Sequence, residues 1–325
     1  MSHELTINQD GQVEFAYLER DGLPWHGLGQ AMPMGASIDE WRKQAGMDWR
    51  IQRSKVRYAT SHALSTSGEA YEVMADQHVL FRSDSKAALG LVSEKYKVVQ
   101  PSEVIEFFRD IARAGGLELS AAGTIFGGRR FWATAKIGEA SPTSVKDKIG
   151  GYLLISTSAD GSLATEVRRT TVRTVCQNTL AMAMKDAPAS MKVTHKSVFD
   201  PSQVKAFMGL NEAAWEAFKH QVVRLANKPV VLEAAEKMTA DLLGGGDKVY
   251  ATAGYNKILD LFQGQAKGAD FDGVNGSAWG YINAVTEYAD WFSRARTHEN
   301  RFVSSQWGQG ADLKQRALDT VLALT

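Results

Sequence analysis

The sequence predicts an α+β protein, with a mixed or antiparallel N-terminal sheet carrying helices and then a mostly α-helical C-terminal domain. Three observations predict it. Before about residue 197 apolar residues alternate with polar ones in short runs, and beyond it they recur at the helical period. Glycine-bearing turns separate the short runs, as antiparallel hairpins require. No regular alternation of strand and helix, the mark of a parallel α/β sheet, runs through the chain. A chain of 325 residues is long enough for two cores. The expected units are residues 1–197, holding the strands, and residues 198–325, helical.

The first helix signal is Ser37-Ile38-Asp39-Glu40, a capping box with Gly46 as the stop. Strands follow. Trp49, Ile51 and Arg53 alternate with Arg50, Gln52 and Ser54, and the runs Tyr71 to Met74, His78 to Phe81 and Tyr96 to Val99 read as three more. Pro101 opens a helix whose apolar Val104, Ile105, Phe107, Phe108 and Ile111 share one side, and Gly115-Gly116 end it. Gly127-Gly128 signals a hairpin between Gly123 to Phe126 and Arg129 to Ala135. Asp160-Gly161 signals a tight turn between the run Tyr152 to Ile155 and a return strand from Ser162 to Thr174, after which a short helix is expected at Cys176 to Leu180.

The helical half opens at Asp200-Pro201-Ser202-Gln203, an N-cap followed by proline at the first helical position, with the helix reaching about Ala226. Pro229 begins the next, to Leu243, and another spans Gly254 to Phe262. Ser277 caps a long helix holding Trp279, Tyr281, Ile282, Val285, Tyr288 and Trp291, and Leu313 to Leu324 closes the chain helically.

Composition excludes some function classes. Apolar residues make up 44% and charged residues 23%, a globular balance, and no apolar run approaches the roughly 20 residues of a membrane helix. No membrane partner and no secretory signal are expected, so the protein is placed in the host cytoplasm. Cys176 is the single cysteine, which leaves no internal disulfide and no cysteine-based zinc cage and fits a reducing compartment. Neither a metal nor a cofactor is expected.

Net charge is zero on 37 basic and 37 acidic residues, but the charges are unevenly spread. Between Arg42 and Arg57 there are six basic residues and one acid, Asp48. The stretch Gly161 to Lys196 is again basic, with Arg168, Arg169, Arg173, Lys185, Lys192 and Lys196 against Glu166 and Asp186. Alternation puts Arg169 and Arg173 on one face of their strand and Arg168 on the other. Arg129 and Arg130 adjoin Phe131 and Trp132, an interleaving of cations and rings that suits single-strand binding. The competing reading has Phe131 and Trp132 packing inward on opposite sheet faces, with the arginines solvated or paired. The expected binding set is Arg129, Arg130, Arg168, Arg169, Arg173, Lys192 and Lys196.

Three further residues are candidates. Cys176 has the chemistry of a nucleophile, and His26, between glycines after Pro24-Trp25, that of a base or metal ligand; both also read as packing residues. Asn178 reads as a cap. Gly244-Gly245-Gly246-Asp247-Lys248 lacks phosphate-loop spacing, and Asp270 to Gly276 lacks the spacing of a calcium loop.

The runs Trp25 to Gly29, Gly127 to Trp132, Asp160-Gly161-Ser162, Val172 to Leu180 and Trp279 to Tyr288 together resemble the phage/plasmid-like proteins that carry the domain of unknown function numbered 932. The resemblance implies cargo of phages, prophages or conjugative plasmids and, by association only, DNA work such as single-strand binding, annealing, replication or recombination. The functional expectation is a non-enzymatic nucleic-acid-binding protein, with single-stranded DNA as partner and self-assembly as a homo-oligomer. The alternatives are an enzyme using His26 or Cys176 in an inter-domain cleft, or an interaction protein directed at host defence.

Overall fold

The computed structural model describes residues 5–22, 27–60, 71–141, 147–173, 178–181, 190–192 and 215–324. In chain order the strands are β1 (Phe15–Leu18), β2 (Gln30–Met32), β3 (Ile51–Ala59), β4 (Tyr71–Arg82), β5 (Ala88–Ser93), β6 (Leu119–Ile125), β7 (Arg130–Ala140), β8 (Ile149–Ser158), β9 (Glu166–Arg173), β10 (Asn178–Ala181) and β11 (Ser190–Lys192). They form an eight-stranded sheet ordered β10-β9-β8-β7-β6-β1-β2, with β11 also on β9, and a three-stranded sheet β3-β4-β5. All pairs are antiparallel except β1 with β2. The N-terminal sheets with helices and the mostly helical C-terminal region agree with the predicted α+β class. The boundary expected at residue 197 lies outside the described residues.

The β6–β7 hairpin forms where the glycine pair requires it. Gly127 and Gly128 take φ of 70° and 87°, a region closed to most side chains. The β8–β9 turn is wider than the tight turn expected. The strands stop at Ser158 and Glu166, the Ser158 hydroxyl accepts from the Leu163 amide at 2.8 Å, and Asp160 accepts from the Ser162 amide at 2.9 Å. Those local side-chain bonds give the backbone an alternative to two-residue closure.

One face of the large sheet is covered by α2 (Pro101–Ala114), whose Val104, Ile105, Phe108 and Ile111 join Phe131, Ala133, Leu153, Ile155 and Val167 in a single core. At the other end of the strands Trp215, in α3 (residues 215–226), lies on the cross-strand pair Gly138 and Gly151. A Cβ at either glycine would stand 2.7 Å from the indole, so two missing side chains make the seat for one large one. Gly151→Val is expected to cost about 1–3 kcal/mol of stability by overpacking, read as a shift in the urea midpoint.

After α3 the α-helices are α4 (Leu232–Leu242), α5 (Ala253–Asp260), α6 (Ala278–Glu287), α7 (His298–Trp307) and α8 (Gln309–Leu322). Every residue of α6 is buried, and its cap is the one predicted, with the Ser277 hydroxyl accepting from the Gly280 amide at 3.0 Å. Trp279 on α6 donates its indole N–H to the fully buried Asp147 at 3.2 Å, and Ile149 of β8 belongs to the helical core. A buried ion pair joins Lys314 on α8 to Asp290. Sheet and helices therefore share packed side chains.

The small sheet is fastened to the large one through Arg82, the last residue of β4. Its guanidinium donates to both carboxylate oxygens of buried Glu14, to both oxygens of Asp84, and lies 4.2 Å from the centroid of a Trp49 ring. Thr124 on β6 also donates to Glu14. Burial opposes charge on Arg82, but the hydrogen bonds to Asp84 and Glu14 outweigh it and its pKa is raised. The ordinary helix start α1 (Ile38–Gln44) precedes this clamp, with the predicted box intact: the Ser37 hydroxyl accepts from the Glu40 amide at 3.3 Å, and Glu40 accepts from the Ser37 amide at 2.7 Å.

Several expectations are corrected. Tyr71 to Met74 and His78 to Phe81 are one continuous strand, β4, because nothing between them breaks an extended chain. Tyr96 to Val99 pairs with no strand, and its Tyr96, Val98 and Val99 pack on the core directly. The helix expected from Cys176 is replaced, where described, by β10, which pairs Asn178–Ala181 with Thr170–Arg173. The outer edge of β9 needs hydrogen-bond partners, and that need overrides local helix propensity.

Candidate nucleic-acid interface

The arginines expected to form one surface do not share one. Register carries Arg130 across Ser158, and Arg168 across Leu154, onto one face of the large sheet, while Arg169 lies across Leu153 on the opposite, core-facing side. Arg169 is 0% exposed, and burial lowers its pKa. Arg168 pairs with Glu166 at 2.7 Å and donates to the Gln306 carbonyl of α7. Arg130 lies 5.0 Å from the Trp307 ring centroid and 5.5 Å from that of Phe126. Arg129 donates to the Phe126 carbonyl at 3.1 Å.

Arg130 and Arg168 thus meet α7 at Trp307 and Gln306, with the geometry of fasteners holding that helix on the sheet, while Arg129 lies against Phe126 of its own hairpin. The rings that adjoin the arginines in sequence are engaged elsewhere. Phe131 is buried against Trp49 at 5.7 Å, and Trp132 stacks on Phe15 at 5.6 Å on the other face. Lys192 is exposed at the end of β11, opposite Glu166. For Arg173 and Asn178 only the backbone is described, as the paired ends of β9 and β10. His26, Cys176 and Lys196 lie outside the described residues.

The other basic segment is different. β5 pairs with β4 only from Gln77 to Phe81, whereas β3 continues along β4 through Val56 with Met74, Arg57 with Val73, Tyr58 with Glu72 and Ala59 with Tyr71. Those four outer pairs form a ribbon that meets no third strand among the described residues. The ribbon is set off by a register shift after Lys55, where Ala75, Asp76 and Gln77 of β4 oppose no β3 residue. Its faces are exposed: Tyr58 keeps 49% of its surface, Tyr71 53%.

Directly paired residues share a face. One face therefore carries Arg57, Val73, Ala59 and Tyr71, and the other Val56, Met74, Tyr58 and Glu72; Lys55, opposite His78 at the base of the ribbon, falls on the Arg57 side by alternation along β3. Within the four outer pairs the only acid, Glu72, is on the face away from Arg57. The side chains of Lys55 and Arg57 are exposed and make no hydrogen bond or ion pair among the described residues. Arg53, nearer the base, is tied to the Ser93 and Glu94 carbonyls at 3.0 and 2.6 Å and is a structural cation. The basic run is visible in the sequence, whereas the place of Tyr58 and Tyr71 beside it follows only from the pairing of β3 with the outer half of β4.

A family model described as a domain of unknown function, DUF932, matches residues 88–307, more than half of the chain. The chain belongs to the DUF932 family. The DUF932 match takes in β5 to α7, with the Val172 to Leu180 and Trp279 to Tyr288 runs. The Trp25 to Gly29 run and the ribbon precede it. No curated protein and no solved structure matches the chain significantly. Among the described residues of this DUF932 protein no cluster of His, Cys, Asp and Glu is placed to hold a metal ion, and no helix is long and apolar enough to cross a membrane.

Proposed function

We propose that the protein is a non-enzymatic nucleic-acid-binding protein that holds the phosphate backbone on the β3–β4 ribbon. The observation that carries this reading is the pair Lys55, at the base of the ribbon, and Arg57, on it beside the exposed Tyr71 ring, both exposed and without ionic partners among the described residues. An exposed cation with no ionic partner breaks no existing bond when it turns to phosphate, whereas Arg168 would have to give up Glu166 and Gln306. Zero net charge limits long-range attraction but not a local contact of this kind. A phage- or plasmid-borne role in replication or recombination, as the resemblance implies, belongs to the same proposal.

Fluorescence anisotropy with labelled oligonucleotides tests it. The logarithm of the binding constant is expected to fall linearly with the logarithm of salt concentration, by about 0.7 per phosphate neutralised on a single strand and about 0.9 on a duplex. No affinity at low salt, or an affinity indifferent to salt, would remove the reading.

A further inference from the structure

Resting on that reading, we infer that the ligand is single-stranded and that one of its bases stacks on Tyr71 while the adjoining phosphate is held by Arg57. Tyr71 pairs across the ribbon with Ala59, and Arg57 with Val73, so the ring and the guanidinium are diagonal neighbours on one face. Such neighbours lie about 7–8 Å apart, with their Cβ atoms somewhat closer, within the span of a base and the phosphate attached to it. Ala59, directly opposite the ring, is too small to cover it. Lys55 continues the cationic line along β3.

An open ring of this kind recruits an unstacked base, because every base presents a π face once it has left a helix. Bases inside a duplex have no free face to offer. Tyr58 supplies an internal control: it is equally exposed, on the same ribbon, but its face carries Glu72 directly opposite and no cation in the outer pairs. A base stacked there would bring its phosphate toward a carboxylate.

The test uses the full chain, a short labelled oligodeoxythymidine and a labelled hairpin duplex at low salt. Tyr71→Ala is expected to weaken oligodeoxythymidine binding about 5- to 150-fold, the range of one lost stack. Tyr71→Phe and Tyr71→Trp should bind as the parent does, with the emission of the indole that Tyr71→Trp introduces quenched on binding, and Tyr58→Ala should bind as the parent does. The inference is overturned if Tyr71→Ala binds like the parent, if Tyr58→Ala loses as much, or if the duplex binds more tightly than the single strand. Those results leave the broader reading standing, whereas absence of salt-dependent binding by the parent protein overturns both.

Discussion

Arg82→Met is expected to destabilise the protein by about 3–5 kcal/mol, the cost of leaving a buried carboxylate without its partner. Glu14 is 4% exposed, and the guanidinium contacts both of its oxygens. With Arg82 gone, the Thr124 hydroxyl alone among the bonds described would face it. The effect belongs to the partnerless charge and not to the pair as such. Replacing both partners, Glu14→Leu with Arg82→Met, should therefore recover most of the loss, because well-packed apolar pairs often match a buried ion pair. Urea denaturation of the two singles and the double decides it; a double variant as unstable as their sum would contradict the account.

The same clamp gives an acid limb. The hydrogen bond from Arg82 holds the Asp84 carboxyl down at about 2, below the roughly 3.9 of an unperturbed aspartate. A depressed carboxylate contributes stability that is fully present above its unfolded-state value and is lost as pH falls through the folded one. Part of the acid unfolding should thus fall between about pH 4 and pH 2, and Asp84→Asn should flatten that part. Asp84 is 42% exposed at its side chain, which keeps its share small.

Lys55→Glu with Arg57→Glu is expected to abolish measurable binding at moderate salt. Taking about 0.7 as the salt exponent per phosphate and 1 M salt as the reference, each contact contributes roughly tenfold in affinity at about 50 mM. Two lost contacts amount to about a hundredfold, and the introduced carboxylates add repulsion. Neither residue has a partner to lose among those described, so the fold and its denaturation midpoint should be unchanged. Arg169→Leu should behave in the opposite way: it alters a fully buried position and should change stability while leaving affinity alone.

Features written in local chemistry were legible. The Ser37 box, Pro101 as the start of α2, the glycine pair of the β6–β7 hairpin and the Ser277 cap each depend on residues within one turn. β5 was hidden because Gly90 interrupts its pattern, and Gly90 is there to let Asp160 approach: a Cβ would stand 2.6 Å from that of Asp160. α7 was hidden because two of its few apolar residues, Phe302 and Trp307, meet Phe126 and Arg130 beside the sheet, although Thr297 caps it as a start signal should. For the site, alternation correctly separated Arg168 from Arg169, but which face of β9 meets α2 is a property of the whole sheet. The ribbon escaped because two apolar runs in β4 read as two strands, although Ala75-Asp76-Gln77 contains neither glycine nor proline.

The ribbon, and not the arginine cluster under α7, is expected to meet nucleic acid. Photocrosslinking the full chain to a single strand bearing 4-thiothymidine, followed by peptide mapping, tests it most directly. Adducts are expected within Lys55 to Ala59 and Tyr71 to Met74, suppressed by salt. Adducts confined to Phe126 to Arg130 or Phe302 to Trp307 would contradict it.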